Sequence, residues 1–214
     1  MILRLTEKLG KKIHERPSQS VPIAENPFAD WTANLFRADR TQYILVANTV
    51  FLYSVVLRGK GIKSGNRFIE QTLITLRLFL KGDGLGILYH DFLVPEMGSF
   101  QLAKTRNRRV IGSLTELIQE AKMRLTEYEL GPYQTSLRLN DTRLSFLDYG
   151  SPREVFRGLV DKMGETDTAS DWKTDVEKIG FSRFVDTKTR FLGYFTIPID
   201  RLQIHHFSVW VLKE

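Results

Sequence analysis

Cations are concentrated in one short segment of the sequence, Lys104–Arg109, which holds four of them and no acidic residue. Ser113 follows and precedes Glu116 by three residues, a spacing that predicts a capping box at the start of a helix. The first amides of a helix are free to bind an anion, and the planar guanidinium of arginine matches phosphate oxygens. The sequence therefore predicts an anion-binding site. Its expected residues are Lys104, Arg106, Arg108, Arg109 and Ser113.

The spacing of the arginines predicts which of them bind the anion. Successive side chains of an extended segment point to opposite faces, so Arg106 and Arg108 would share one face and Arg109 would lie on the other. We expect the first two to contact phosphate, whereas Arg109 would be available to pair with an acid. The alternative is that the whole segment is a solvated basic turn.

Other residues that could carry chemistry form no complete motif. His90 stands beside Asp91, which would suit a general base, but no nucleophile motif accompanies them. The glycines of Gly82–Gly86 follow a predicted helix instead of opening one, so they indicate a helix end and not a phosphate loop. His205 and His206 are neighbours in a predicted strand and would point to opposite faces. Because the chain also has no cysteine, we expect no catalytic residue, metal site or cofactor.

Composition describes a globular and basic protein. The 214 residues are 42% hydrophobic and carry a formal net charge of +6 at pH 7. Residues 1–164 hold 24 Lys and Arg against 17 Asp and Glu, whereas residues 165–214 hold 7 against 8. A basic body favours a nucleic acid or another polyanion as the partner. Charged residues follow Met1–Leu3 at once, and no apolar run approaches the roughly 18 residues that span a bilayer, so we expect a cytoplasmic protein without membrane contact.

The elements that would position the basic segment are organised around the longest apolar stretch, Asp30–Gly59. Its period of two and its β-branched and aromatic residues predict three strands joined by short turns, which make an antiparallel meander. The expected strands are Trp31–Ala38, Tyr43–Asn48 and Val50–Leu57.

Further elements are predicted on both sides of this meander. Strands are expected at Ile2–Leu5 and Ser99–Lys104, and helices at Glu7–Glu15, Arg67–Lys81, Leu114–Glu129, Gln134–Asn140 and Pro152–Gly164. Thr6 and Asn66 are the predicted N-caps of the first two helices, and Pro17 is expected to end the first. Ser151 and Glu154 predict a capping box for the last helix, with Pro152 at its first position.

The fold class that these elements define is α+β, an antiparallel sheet packed by amphipathic helices. Glu165–Ser170 is small, polar and acidic, so it is the best candidate for a linker. We expect an α+β body over residues 1–164. Residues 165–214 would form an appended helix and hairpin that packs on the body, because their large apolar side chains are too numerous to stay exposed.

Four segments carry a likeness to a known family: Ile2–Leu9, Asp30–Phe36, Lys104–Ser113 and Ser136–Asn140. Together they resemble a bacterial domain family of unknown function, which occurs in chromosomes and on mobile elements. The likeness covers roughly residues 1–162 and implies one N-terminal α+β unit with no established activity. The family often has histidine where this chain has Thr32, so the resemblance implies no histidine chemistry at that position.

Three functions remain open at this point. The first is a non-catalytic binding or regulatory protein whose basic anion site contacts nucleic acid or a phosphorylated partner. The second is a phosphodiesterase or nuclease-like hydrolase, in which the scattered histidines and acids would have to act as the catalytic residues. The third is a protein-interaction component of a mobile-element or defence system, which only the family resemblance implies. The sequence favours the first and gives no oligomeric state.

Overall fold

The structure, a computed structural model, describes residues 1–17, 19–105 and 107–165, with side chains up to Leu159. The predictions for Arg106 and for residues 166–214 lie outside the described residues. Five strands of the described part form one sheet: β1 (Ile2–Leu5), β2 (Asp30–Ala38), β3 (Thr41–Asn48), β4 (Ser54–Arg58) and β5 (Gln101–Lys104). Their order across the sheet is β4-β3-β2-β1-β5.

The predicted meander is confirmed, since β2 pairs antiparallel with β3 and β3 pairs antiparallel with β4. The third strand begins at Ser54, later than the predicted Val50. Asn48 is the reason, because its side-chain oxygen accepts from the amides of Val50 at 3.0 Å and Phe51 at 2.9 Å and so turns the chain. The apolar residues of this turn are buried in the core, which made them resemble a strand in the sequence.

Strand β1 lies between β2 and β5 and is parallel to both, so the sheet is mixed although mostly antiparallel. The α+β class is confirmed. A sequence gives no local signal for this arrangement, because Ile2 pairs with Gln101 across almost half of the chain.

In the described ranges, six helices surround the sheet: α1 (Glu7–Ile13), α2 (Gly65–Gly82), α3 (Gly86–Leu88), α4 (Arg108–Thr126), α5 (Pro132–Asp141) and α6 (Pro152–Glu165). Short helical turns occupy Pro27–Ala29, Tyr89–Leu93, Val94–Gly98 and Ser145–Leu147. The predicted capping box of α6 is confirmed, since Glu154 accepts from the Ser151 amide at 3.0 Å and Ser151 accepts from the Glu154 amide at 3.2 Å.

The predicted end of α1 and the predicted start of α2 were wrong. Helix α1 ends at Ile13 because His14 adopts a left-handed conformation with φ of 60°, before Pro17 is reached. Helix α2 begins at Gly65, and its N-cap is Ser64, whose hydroxyl accepts from the Arg67 amide at 3.3 Å. Asn66, the predicted cap, therefore lies inside the first turn.

The two faces of the sheet are covered by different helices. One core layer contains Leu9 of α1, Phe68 of α2 and Phe156 of α6, packed on residues such as Trp31. The other contains Leu114 of α4 and Leu139 of α5, packed on the opposite face of β2, β3 and β4. Each helix buries one apolar stripe against the sheet, as a two-sided α+β domain requires.

A buried ion pair fixes β1 against β2. Arg4 donates to both carboxylate oxygens of Asp30 at 2.7 Å, and the two residues are 6% and 0% exposed. The remaining Arg4 donors reach the carbonyls of Val21 and Pro22, at 2.9 and 2.7 Å. The pair thus attaches the extended segment before β2 to the sheet, and its hydrogen bonds satisfy charges that would be costly to bury alone.

A second polar cluster, centred on the buried Asp83, joins α2 to α6. Asp83 at the end of α2 accepts from the Tyr53 hydroxyl at 2.5 Å and forms ion pairs with Arg153 and Arg157. Burial raises the pKa of the Tyr53 hydroxyl, which therefore stays protonated and donates. A carboxylate at a helix C-terminus opposes the helix dipole, and the two arginines of α6 offset that cost.

Helix α5 closes the outer edge of β4 with side chains. Asn140 accepts from the Ser54 amide at 2.7 Å and donates to the Ser54 carbonyl at 2.9 Å, so its amide replaces a neighbouring strand. One turn earlier, Ser136 accepts from the Val56 amide at 2.8 Å. Four residues along a helix and two residues along a strand both span about 6 Å, so Ser136 and Asn140 match successive outward peptide groups of β4.

Replacing Asn140 by alanine should therefore destabilise the protein by about 2–4 kcal/mol, because it leaves two buried backbone groups of Ser54 without partners. Urea unfolding measures this free energy. Gln134→Ala, at an exposed position of the same helix, is the matched control and should change it by less than ~0.5 kcal/mol. Equal effects of the two substitutions would contradict the edge-closing role of Asn140.

Candidate anion-binding crevice

The edge of β2 is left open where β1 stops. Strand β1 has four residues and β2 has nine, and their pairing ends with Leu5 opposite Ala33. The last bond between them runs from the Thr6 amide to the Ala33 carbonyl at 3.1 Å. Because peptide groups alternate sides along a strand, those of Leu35 and Arg37 point to the same side as Ala33. No strand in the described part of the chain pairs with them there.

Two helices form the walls beside this open edge. Helix α1 follows β1 and packs on one face of the sheet, whereas α4 follows β5 and packs on the other. Since β1 and β5 are adjacent parallel strands, their following helices diverge at the carboxyl end of the pair. Divergence of this kind makes a crevice where α/β sheets commonly bind ligands.

The resulting cavity, here called the β2 crevice, has a volume of about 340 Å³. Its lining residues are Lys8 of α1, Asn34, Leu35, Phe36 and Arg37 of β2, and Thr115, Ile118, Gln119 and Lys122 of α4. Leu35, Phe36 and Ile118 are buried and form an apolar floor. The lining includes three cations and, among the described residues, no acid, so the crevice is suited to an anion.

Helix α4 begins earlier than the sequence predicted. Its N-cap is Asn107, whose side-chain oxygen accepts from the amides of Arg109 at 3.0 Å and Val110 at 3.2 Å. Ser113 lies inside the helix, and its hydroxyl donates to the Arg109 carbonyl at 3.2 Å. The predicted capping box at Ser113 was therefore wrong. Val110 is fully buried, and this contact extends the helix toward its N-terminus.

The structure places the predicted anion-binding residues at one end of α4. Lys104 ends β5, and Arg108 and Arg109 are the exposed first residues of the helix. Ser113 is buried, and its amide lies within the helix, so it is not one of the free N-terminal donors. Arg106 is outside the described residues.

The helical phase of α4 separates the two arginines. Arg108 is seven residues before Thr115 and fourteen before Lys122, so it lies on the helix face that lines the crevice. Arg109 is about 100° away from it, on the side of Glu116. The prediction of an extended segment with Arg109 on the opposite face was therefore wrong for this pair, because both arginines are helical.

Helix α1 carries two further lysines, which are not among the residues that line the crevice. Lys11 forms an ion pair with Glu7 at 2.6 Å, and Lys12 donates to Gln42 at 2.6 Å. The hydrogen bond from Lys11 lowers the pKa of the Glu7 carboxyl, and the charge of Lys104 lowers it further. Lys104 is thus close to α1, at the end of the crevice where both helices begin.

Residues with other possible chemistry lie elsewhere. His90 and Asp91 are both exposed on the Tyr89–Leu93 turn, away from the crevice lining. Within residues 1–17, 19–105 and 107–165, no group of three or more His, Asp or Glu side chains could hold a metal ion. No helix in the same ranges is long and apolar enough to cross a membrane.

Lys8, Arg37 and Lys122 were not predicted as site residues, because they are far apart in the chain. They belong to three separate elements, α1, β2 and α4, and only the sheet topology brings them together. No local sequence pattern connects these elements.

Fold and crevice together define a two-sided α+β domain with a basic cleft at the carboxyl end of its parallel strands. The chain belongs to the family described as Domain of unknown function (DUF6933), whose model matches residues 2–155. The resemblance to a family of unknown function is confirmed. A comparison with curated proteins found no match.

The segments that carried the resemblance now have structural roles. Ile2–Leu9 contains β1 and the start of α1, and Ser136–Asn140 supplies the side chains that close the edge of β4. Thr32 is fully buried, and its hydroxyl lies 2.8 Å from that of Thr49. The position is therefore part of the packed interior and not of the crevice lining.

The helix start can be tested by two substitutions. Asn107→Ala removes a cap from two amides and should destabilise the protein by about 1 kcal/mol, within a range of about 0.5–2 kcal/mol. Ser113→Ala removes only a hydroxyl bond within the helix and should cost less than ~0.5 kcal/mol. Urea unfolding of both variants measures these changes in the free energy of unfolding. A larger loss of stability for Ser113→Ala than for Asn107→Ala would favour Ser113 as the N-cap.

Proposed function

We propose that the protein is a non-catalytic binding protein that holds the phosphate backbone of a nucleic acid in the β2 crevice. The observation that carries this proposal is the acid-free lining, with cations from three separate elements. Lys8, Arg37 and Lys122 surround the cavity, and Arg108 continues the same face of α4. Phosphate contacts of this kind dominate the affinity of proteins for nucleic acids.

The length of the basic face supports contact with several phosphates. Arg108 and Lys122 are fourteen residues apart on α4, which corresponds to about 21 Å along the helix. Further phosphate contacts are proposed for Lys104, Arg106, Arg108 and Arg109. Arg108 is expected to contribute more to affinity than Arg109. The excess of cations in residues 1–164 would also attract a polyanion to this surface.

The shape of the crevice favours a single strand over a duplex. A cavity of about 340 Å³ between two helices has room for one backbone and not for two. The amides of Leu35 and Arg37 would add donors from the open strand edge, as backbone N–H groups often contact phosphates. The expected partner is therefore single-stranded DNA or RNA, bound without base-specific contacts in the crevice.

The crevice gives little support to a hydrolase. Its lining contains no histidine, aspartate or glutamate among the described residues, so it holds neither a general base nor ligands for a metal ion. The alternative ligand is an acidic segment of a partner protein, and the binding experiment must distinguish it from a nucleic acid.

The experiment is a salt titration of binding to fluorescent oligo(dT), oligo(U) and a DNA duplex of the same length. Affinity for single strands should fall with salt, with a log–log slope of about −0.7 for each phosphate neutralised. The double variant Arg37→Gln/Lys122→Gln should flatten that slope by about 1.4 units, because it removes two phosphate contacts.

Arg40→Gln is the matched control, since Arg40 is an exposed cation in the β2–β3 turn outside the crevice. It should leave the slope unchanged, and circular dichroism should show that all variants are folded. Failure to bind any of the three nucleic acids at low salt would overturn the proposal. The same slope in the double variant and in the wild type would also overturn it. The hypothesis to test next would then be that the crevice binds a protein partner.

A further inference from the structure

A second cavity lies on the opposite edge of the sheet, where α5 begins. This β4 groove has a volume of about 350 Å³ and is bounded by α2, the end of β4 and the first turn of α5. Its lining residues are Val56, Leu57, Arg58, Lys60, Gln71, Thr75, Leu78, Phe79, Pro132, Tyr133 and Ser136. None of them belongs to the β2 crevice.

The groove lies where the side chains of α5 no longer form hydrogen bonds with the outer edge of β4. Asn140 accepts a hydrogen bond from the Ser54 amide, and Ser136 accepts one from the Val56 amide. The next outward amide is that of Arg58, and the residue one turn before Ser136 is Pro132, whose ring carries no acceptor. Within the described part of the chain, the strand edge is therefore open at Arg58, whereas its earlier part is closed.

The walls of the groove combine an apolar surface with positive charge. Leu78 is 64% exposed and Tyr133 is 43% exposed, so both apolar side chains are accessible to a ligand in the groove. The Tyr133 ring is fixed in place by an edge-on contact with the buried Phe79, at 5.2 Å between ring centres. Arg58 and Lys60 are exposed at the strand end, and no acid lines the groove among the described residues.

We infer that the β4 groove binds a small amphipathic anion, a compound with an apolar, flat body and one carboxylate or similar group. The body would lie against Leu78 and Tyr133, and the anionic group would be held by Arg58 and Lys60. The amide of Arg58 would supply a further donor at the open strand edge. The size of the groove is at the lower end of that of small-molecule sites, which agrees with a ligand of one or two rings.

Nuclear magnetic resonance titration of the ¹⁵N-labelled full chain tests this inference, with 2-naphthoate as the probe and 2-naphthamide as its neutral analogue. The expected result is saturable shifts at the amides of Arg58, Leu78 and Tyr133 with naphthoate. The neutral analogue should bind about tenfold more weakly, because it has no charge for the two cations.

The variant Arg58→Gln/Lys60→Gln should weaken naphthoate binding by about tenfold, and Leu78→Ser should weaken both probes. Arg40→Gln is again the control cation and should change neither. Naphthoate shifts located outside the groove, no saturation at millimolar concentration, or equal binding of the two probes would each overturn the inference. Oligonucleotide binding by the same variants is measured separately, so failure here is distinct from failure of the proposed function.

Discussion

Peptide groups at the edges of a sheet need hydrogen-bond partners, and this protein meets that requirement differently at each edge. Along β4, Asn140 and Ser136 of α5 take the place of a further strand. At β5, the Lys104 amide donates to the Gln19 carbonyl at 2.9 Å, so the segment before β2 covers part of that edge. Beyond the end of β1, no described residue pairs with the edge of β2, which is open there. Buried peptide groups without partners are costly, so the places left open are those that water or a ligand can reach.

Both cavities arise where such an edge is incompletely covered. The β2 crevice begins where β1 ends, and the β4 groove lies beside the first turn of α5. In each, exposed cations stand beside free strand amides, and the described lining residues include no acid. The buried Arg4–Asp30 pair contributes indirectly, because it fixes β1 against β2 and thereby sets where the open edge starts. Stability and binding therefore depend on the same strand lengths.

Local patterns predicted much of the fold but little of the crevice. The meander followed from period two, and the α6 capping box followed from Ser151 and Glu154, which are close in sequence. The start of α4 could not be chosen in this way, since Asn107 and Ser113 are both good N-caps and the burial of Val110 decided between them. Parallel pairing of β1 with β5 depends on residues about 100 positions apart. The crevice depends on that pairing, so Lys8, Arg37 and Lys122 had no common signal in the sequence.

Hydrogen exchange of the full chain with and without oligo(dT) tests the central claim most directly, because it reports on the open edge of β2 itself. In the free protein the amides of Leu35 and Arg37 should exchange faster than those of Asn34 and Phe36, which point toward β3. Bound oligonucleotide should slow Leu35 and Arg37 and leave the β4 amides Ser54 and Val56 unchanged. Binding that leaves Leu35 and Arg37 unprotected would contradict the account, since the nucleic acid would then lie elsewhere on the protein.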